Sequence, residues 1–257
     1  ELRRAADLAR VGLAGTLRDY VMTGADGVTR PLAAFDYAGQ PAGYAAEPGE
    51  VVNYVENHDN LTLFDVLALR LPPDLSREQR ARAQALGVAT ITLSQGVAYL
   101  HAGVELQRSK SLDRDSFDSG DWFNRLDWTL QDNGFGAGVP PRHRNEADWP
   151  WMKPALADAR IRPTPAEIRW TRDAALDLLR IRSRTTLFRL RTTADIRQRL
   201  HFRNVGPQQD PTVIVGHLDG AGYAGAAFRE VLYLVNVAGT ARTLTLPGVA
   251  GRGWVLH

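Results

Sequence analysis

Two short apolar runs, each ending abruptly in polar residues, constrain the fold of this chain most strongly. The run Val51–Val55 stops at the polar group 56–60, and a second run spans Val97–His101. Buried parallel strands have this pattern, because both faces of their sheet are covered. A helix is predicted between the two runs, and the order strand, helix, strand indicates a parallel α/β layer.

Helix-start signals divide much of the remaining chain. Helical spacing begins the chain within residues 1–22, and a capping box predicts that the next helix starts at Ser76 and ends at Gly96. Thr164 followed by Pro165 predicts the start of a third helix. The segment 103–163 is too long for a bare connector, so we expect it to carry function or short helices of its own.

Near residue 187 the pattern changes from helical to alternating. Candidate strands at 212–218, 230–237 and 241–246 are separated by glycine-rich turns. Alternation of apolar and polar residues is typical of an antiparallel sheet with one buried face. We therefore predict a first domain at 1–186 and a small antiparallel β domain at 187–257.

Composition excludes several classes of function. The 257 residues include no cysteine, which excludes thiolate catalysis and cysteine-bound metals. The net charge of +2, arginines that alternate with acids, and the lack of a DNA-binding signature argue against nucleic acid as a partner. No run of about 18 apolar residues predicts a membrane span.

The first residues of the chain indicate that its start is truncated. It reads Glu1-Leu2-Arg3-Arg4 instead of a methionine followed by an apolar signal core, so we expect a truncated start. The compartment stays open, with a secreted or periplasmic location preferred to the cytoplasm.

The polar group after the first strand is the best candidate site from residues alone. Asn57-His58-Asp59-Asn60 offers side chains that can hydrogen-bond hydroxyl groups. The group also lies where ligands of parallel sheets bind, outside the carboxyl ends of the strands. The alternative is that Asp59 or Asn60 only caps a helix that begins near Leu61. Spacing alone does not separate these two interpretations.

Three longer stretches carry a resemblance to a known family. In chain order they are VGLAGTLRDYV, VVNYVENHDNLTLFD and GVAYLHAGVELQRSKSLDRDSFDSGDWFNRLDW. Together they closely resemble pullulanases, which belong to the α-amylase superfamily. The likeness covers nearly the whole chain, and the run RSKSLDRDSFDSGDWFNR separates pullulanase-like debranching enzymes from ordinary amylases.

The resemblance implies an α/β fold: the last strands and helices of a (β/α)8 barrel, followed by a small all-β antiparallel domain. Val51–Val55 would be the seventh strand and Val97–His101 the eighth. Retaining hydrolysis needs a nucleophilic carboxylate and a carboxylic acid, and in this family both come from earlier strands. Neither the nucleophile motif nor the acid Glu occurs in this chain, so we expect the chain alone to be inactive.

The resemblance also assigns roles to the polar group. Asp59 matches the third carboxylate of the family, which implies a transition-state stabiliser that binds sugar hydroxyls. His58 matches a histidine that hydrogen-bonds the sugar being cleaved, and Asn60 follows in the pullulanase-type signature. A single histidine is more often structural, but the position of His58 between Asn57 and Asp59 favours contact with a ligand.

The loop after the second strand supplies three more candidates. The resemblance places Asp121 and Arg125 where the superfamily contacts glucose units on the non-reducing side. The alternative for both is an internal salt bridge that pins the loop. Among the tryptophans, Trp122 is the strongest candidate for a platform on which a sugar ring stacks.

Metal binding is a weaker hypothesis for the same loop. Asp113, Asp115 and Asp118 could suggest calcium, but their spacing is not that of an EF-hand and Arg114 intrudes. We therefore predict no metal and no cofactor in this chain, and leave calcium as an option for the parent protein.

The predicted function is part of a pullulanase-like glycoside hydrolase that cleaves α-1,6 branch linkages with retention. The expected partners are the α-glucans pullulan, amylopectin and limit dextrins, with neither nucleic acid nor membrane. A non-catalytic α-glucan-binding protein is the alternative from another class. An isoamylase-like or glycogen-debranching enzyme is disfavoured by the run SKSLDRDSFDSGDWFN.

Overall fold

A computed structural model describes residues 1–256 of the chain. The helices are α1 (Leu2–Leu13), α2 (Leu63–Arg70), α3 (Arg77–Thr92), α4 (Asp121–Asn124), α5 (Arg142–Asn145), α6 (Trp149–Ala157), α7 (Pro165–Arg184) and α8 (Thr193–Arg199). The strands are β1 (Val21–Thr23), β2 (Thr29–Pro31), β3 (Asp36–Tyr37), β4 (Gln40–Pro41), β5 (Val52–Asn53), β6 (Val97–Ala98), β7 (Leu200–Arg203), β8 (Val213–Asp219) and β9 (Glu230–Asn236). Single 3-10 turns lie at Leu32–Ala34, Pro48–Glu50, Val104–Leu106, Ser116–Asp118, Glu146–Asp148 and Thr186–Phe188.

The chain forms two compact units. One contains residues 1–51, 94–97 and the segment from Arg184 onward, and the other contains 52–93 and 98–183. The domain boundary predicted between 186 and 187 stays a prediction. None of the described helices is long and apolar enough to cross a membrane.

The predicted helix starts are confirmed by their caps. The Ser76 hydroxyl accepts the Gln79 backbone N–H at 3.2 Å, and Gln79 Oε1 accepts the Ser76 N–H at 2.9 Å, which is a capping box at the start of α3. At α7 the Glu167 carboxylate accepts both the backbone N–H and the hydroxyl of Thr164. The segment 103–163 carries α4, α5 and α6, as expected of a segment too long for a bare connector.

The strands β5 and β6 form a two-stranded sheet. Val97 N–H donates to Val51 O at 2.9 Å and Tyr99 N–H donates to Asn53 O at 3.0 Å, so the bonds advance in the same direction along both strands and the pair is parallel. The predicted burial of both strands is wrong for one face of the sheet, although Val51 is only 3% exposed. Val52 is 53% exposed and Val97 47% exposed, because a two-stranded sheet has no further strands or layers to cover them.

The second unit buries three small apolar clusters. The largest contains Phe64, Leu112, Phe135, Met152 and Ile161, and the rings of Phe64 and Phe135 meet edge to face at 5.5 Å. This cluster joins α2 to the segment after β6. Its packing therefore fixes α2, which follows the polar group 56–60, against the segment after β6.

The first unit contains an antiparallel sheet in the order β7-β8-β9. The strands β8 and β9 confirm the predictions at 212–218 and 230–237, whereas the predicted strand at 241–246 is wrong. Leu244 and Leu246 are half-buried as alternation requires, but their backbone pairs with no strand of the described chain. The third strand of the sheet is β7, which pairs with β8 and which the sequence pattern did not predict.

Helix α1 is anchored in the first unit by a buried arginine. Arg10 donates to Gln209 Oε1 and to Asn204 O, both at 2.8 Å, and pairs with Asp7 at 3.1 Å. These bonds pair the two terminal nitrogens of a fully buried guanidinium, and a buried charge without partners would be strongly destabilising.

Candidate functional site

The candidate site begins in the loop between β5 and α2. His58 and Asp59 have side chains that are 79% and 70% exposed, with 3.4 Å between His58 Nε2 and Asp59 Oδ2. The Asn57 side chain accepts the Asp59 N–H at 2.9 Å, and Asn60 takes a left-handed backbone conformation with φ of +60°. The loop therefore presents an imidazole and a carboxylate to solvent beyond the carboxyl end of a parallel strand.

Helix α2 is capped by Thr62 and not by Asp59 or Asn60. The Thr62 side chain accepts the Asp65 backbone N–H at 3.2 Å, and the helix begins at Leu63. This finding removes the helix-cap interpretation of Asp59 and Asn60. Their exposed side chains are left free to contact a ligand.

A buried carboxyl group lies directly before the exposed loop. Glu56 is 4% exposed, and its Oε2 accepts the Leu63 backbone N–H at 2.6 Å. Its Oε1 lies 3.0 Å from Nδ1 of His101, which follows β6. Burial raises the pKa of Glu56 to about 7, against the opposing effect of the Leu63 N–H. Burial also lowers the pKa of His101, so both partners favour their neutral forms.

A second buried acid ties the segment after β6 to α2. Asp65 accepts the Ser109 hydroxyl at 2.5 Å and the Lys110 backbone N–H at 2.9 Å. Burial raises the pKa of Asp65 to about 6, and the hydrogen bond from Ser109 is the largest opposing effect. Lys110 is itself buried, and its Nζ donates to the His58 carbonyl at 2.9 Å.

Helix α4 carries two of the three loop candidates. Asp121 is exposed and begins this four-residue helix, and Trp122 is 70% exposed. Arg125 follows the helix, and its Nη2 lies 3.6 Å from Asp132 Oδ2. The alternative of an internal salt bridge that pins the loop is therefore present for Arg125, whereas Asp121 has no ion pair within residues 1–256.

Within residues 1–256, the loop candidates share no hydrogen bond or ion pair with residues 57–60. No hydrogen bond or ion pair in the described part of the chain joins Asp59 to Asp121, Trp122 or Arg125. Arg108 provides an indirect connection, since its Nη2 donates to Asn124 O at 3.1 Å and its Nη1 lies 3.5 Å from His101 Nε2.

The three aspartates considered for calcium have other partners. Asp115 and Asp118 both pair with Arg144, and Asp113 accepts the Asp115 N–H and the Ser119 hydroxyl. A guanidinium between two carboxylates opposes a bound cation. Within residues 1–256 no three His, Asp or Glu side chains are grouped so that they could hold a metal ion. Calcium in the parent protein stays a prediction.

Sequence reasoning missed the buried polar groups behind the loop, namely Glu56, Asp65, His101 and Lys110. The position of Glu56 immediately after an apolar run is a signal that could have identified it. No spacing or composition signal marks Lys110 as buried, because its burial depends on contacts between segments about 50 residues apart.

Comparisons with known proteins identify the family of this chain. A family profile described as "Alpha-1,6-glucosidases, pullulanase-type, C-terminal" matches residues 130–257. The chain is 44% identical over 215 residues to pullulanase 1, chloroplastic, of Arabidopsis thaliana, which covers 83% of this chain and 22% of that protein. It is 38% identical over 248 residues to the pullulanase of Klebsiella pneumoniae, which covers 95% of this chain and 23% of that protein.

Solved structures give the same result. The maltotriose complex of PulA from Klebsiella pneumoniae matches with a TM-score of 0.89 at 38% identity, over 94% of this chain and 26% of that chain. The chain thus spans about a quarter of the length of the proteins it matches. The chain belongs to the pullulanase-type enzymes and corresponds to their carboxy-terminal part.

Proposed function

We propose that this chain is the carboxy-terminal part of a starch-debranching glycoside hydrolase that cleaves α-1,6-glucosidic branch linkages with retention. The observation that carries the proposal is the exposed group Asn57–Asn60, which lies beyond the carboxyl end of β5. Because Thr62 caps α2, this group is not needed as a helix cap. Relatives named pullulanases and a relative's complex with maltotriose support α-glucan as the substrate class. Pullulan, amylopectin and limit dextrins are the substrates we propose.

In this proposal Asp59 stabilises the transition state. Its carboxylate binds hydroxyl groups of the distorted sugar ring more strongly in the oxocarbenium-like state than in the ground state. His58 and Asn60 hold hydroxyls of the same sugar. Asp121 and Arg125 contact neighbouring glucose units, and the exposed indole of Trp122 stacks on a sugar ring.

The nucleophile and the acid belong, in this proposal, to an upstream part of the enzyme. The strands β5 and β6 act as the seventh and eighth strands of a (β/α)8 barrel, and their parallel pairing and exposed side chains at Val52 and Val97 support that role. Upstream strands place the two reacting carboxyl groups about 5–5.5 Å apart, the spacing of retaining enzymes. Residues 1–257 alone are therefore expected to hydrolyse nothing.

A second candidate function is α-glucan binding without hydrolysis. It is favoured by the lack of a nucleophile motif in residues 1–257 and by the exposed Trp122, which suits sugar stacking.

The compartment is not decided by the relatives, because they include a chloroplastic plant protein and bacterial proteins. A secreted or periplasmic location remains our proposal.

Product analysis of the full-length protein that carries this chain separates the two functions. A debranching hydrolase releases maltotriose from pullulan, whereas a binding protein retains maltotriose and releases no product. A protein that neither binds maltotriose nor releases it from pullulan contradicts both functions.

A further inference from the structure

The segment 107–112, in which every residue except Arg108 is buried, has an unusual backbone. Gln107, Ser111 and Leu112 all take left-handed conformations, with φ of +56°, +52° and +67°. Residues other than glycine rarely adopt this region, and such strain persists only where surrounding contacts hold it. Each of these side chains is at most 1% exposed, so solvent contact does not explain the conformation.

The bent backbone directs Ser109 and Lys110 towards the first turn of α2. Asp65, in that turn, is fully buried and accepts both the Ser109 hydroxyl and the Lys110 N–H. The Ser109 oxygen in turn accepts the Ser111 N–H at 2.8 Å. The backbone at Lys110 is therefore fixed from two sides.

The Lys110 ammonium then reaches back to the exposed loop. Its Nζ donates to the His58 carbonyl at 2.9 Å, although the residue is only 1% exposed. Burial lowers the pKa of Lys110 and Arg108 acts in the same direction, while Asp65, Asp113 and Asp59 oppose them. Burial of an amine costs free energy unless the amine is paired with an opposite charge or forms hydrogen bonds.

Within residues 1–256, the bond from Lys110 is the single hydrogen bond that ties the loop 57–60 to another part of the chain. Throughout residues 1–256, no other hydrogen bond joins segment 57–60 to the rest of the molecule; the remaining contacts run from Asn57 to Asp59 and from His58 to Asp59. Without the ammonium, the loop would lose its hydrogen bond to the segment after β6.

We propose that Lys110 is a positioning residue for the glucan-binding loop, holding the His58 peptide so that His58 and Asp59 face the substrate. The inference rests on the proposed function, because the loop must bind substrate for its position to affect the reaction. Lys110 does not touch the sugar; it acts through the His58 carbonyl. Misplacement of reacting groups by about 1 Å can lower a rate about 100-fold, which sets the scale of the effect.

The chain offers a matched control for a test of Lys110. Lys110 and Lys153 are its two lysines, and Lys153 is exposed on α6 with its Nζ over the ring of Trp149. In the full-length protein, we expect Lys110→Met to lower kcat/KM on pullulan about 10- to 100-fold below the melting temperature, and Lys153→Met to stay within about twofold of wild type. Combining Lys110→Met with His58→Ala should give a loss smaller than the product of the two single losses.

Hydrogen exchange gives a readout that does not depend on activity. Peptides covering 57–61 should exchange faster in Lys110→Met than in wild type, and at the wild-type rate in Lys153→Met. If Lys110→Met does not fold, Lys110→Gln replaces it with the same expected outcomes, since its amide is one bond too short to reach the His58 carbonyl.

The outcomes separate the inference from the proposed function. A wild-type protein without activity on pullulan contradicts the function, and the exchange rates then still test the anchor. An active protein in which the Lys110 variant keeps wild-type kcat/KM and wild-type exchange at 57–61 overturns the inference, as does a variant that loses only thermal stability.

Discussion

Glu56 Oε1 lies 3.0 Å from His101 Nδ1, and this hydrogen bond joins the residues that follow the two parallel strands. The Glu56 side chain is 1% exposed and that of His101 14%. An ion pair is one description of this contact, but burial shifts the pKa of each partner towards its neutral form. We therefore describe it as a hydrogen bond between a neutral carboxyl group and a neutral imidazole, placed directly behind the exposed loop.

The first prediction concerns the pH dependence of stability. The pKa of Glu56 is raised from 4.5 in the unfolded chain to about 7, so the folded state retains a proton that the unfolded state releases. Its contribution to the free energy of unfolding is full below pH 4.5 and is lost as the pH rises towards about 7. We expect the stability of wild type relative to Glu56→Gln to fall by on the order of 3 kcal/mol over this range.

Urea unfolding of both proteins at matched pH values measures this difference. The lowered pKa of His101 acts in the opposite direction, because its contribution is lost as the pH falls below 6.5, but His101 is present in both proteins. A stability difference that stays constant between pH 4.5 and 7 would show that Glu56 titrates normally.

The second prediction concerns the cap of α2. Thr62→Ala should lower the free energy of unfolding by about 1 kcal/mol, because the Asp65 N–H loses its partner. Asp59→Asn is the matched variant from the same loop and should change it by less than about 0.5 kcal/mol. Chemical denaturation measures both values. Equal losses in the two variants would restore the interpretation of Asp59 as a cap.

The third prediction concerns sugar stacking. Trp122→Ala should weaken maltotriose binding by about 3- to 10-fold in the full-length protein, since an aromatic stacking contact contributes about 0.5–1.5 kcal/mol. Trp128, which is 63% exposed, provides the control, and Trp128→Ala should leave the affinity unchanged. Calorimetric titration measures both affinities, and a control that loses as much as Trp122→Ala would argue against a specific platform.

Local signals in the sequence predicted the helices and part of the sheet. The boxes at Ser76 and Thr164 act within one helical turn, so their residues can be read in order along the chain. The strand at 241–246 failed because alternation shows only that a segment could pair, and pairing depends on a partner that the pattern does not name.

The exposed residues of the candidate site could be predicted from the sequence, whereas its buried residues could not. His58 and Asp59 belong to a short polar group at a strand end, which the sequence displays directly. The contacts of Lys110 with His58 and of Glu56 with His101 join residues 52 and 45 positions apart. Only the folded chain brings these groups together, and burial there is the largest cause of the shifted pKa values of Glu56, His101 and Lys110.

The most direct test of the account is kcat on pullulan for Asp59→Asn in the full-length protein. We predict a fall of about 100- to 1,000-fold or more, because the lost carboxylate contacts act mainly in the transition state. Asp173→Asn, which changes an exposed aspartate on α7, should keep the wild-type value. A kcat for Asp59→Asn within about threefold of wild type would contradict the role of Asp59 as transition-state stabiliser.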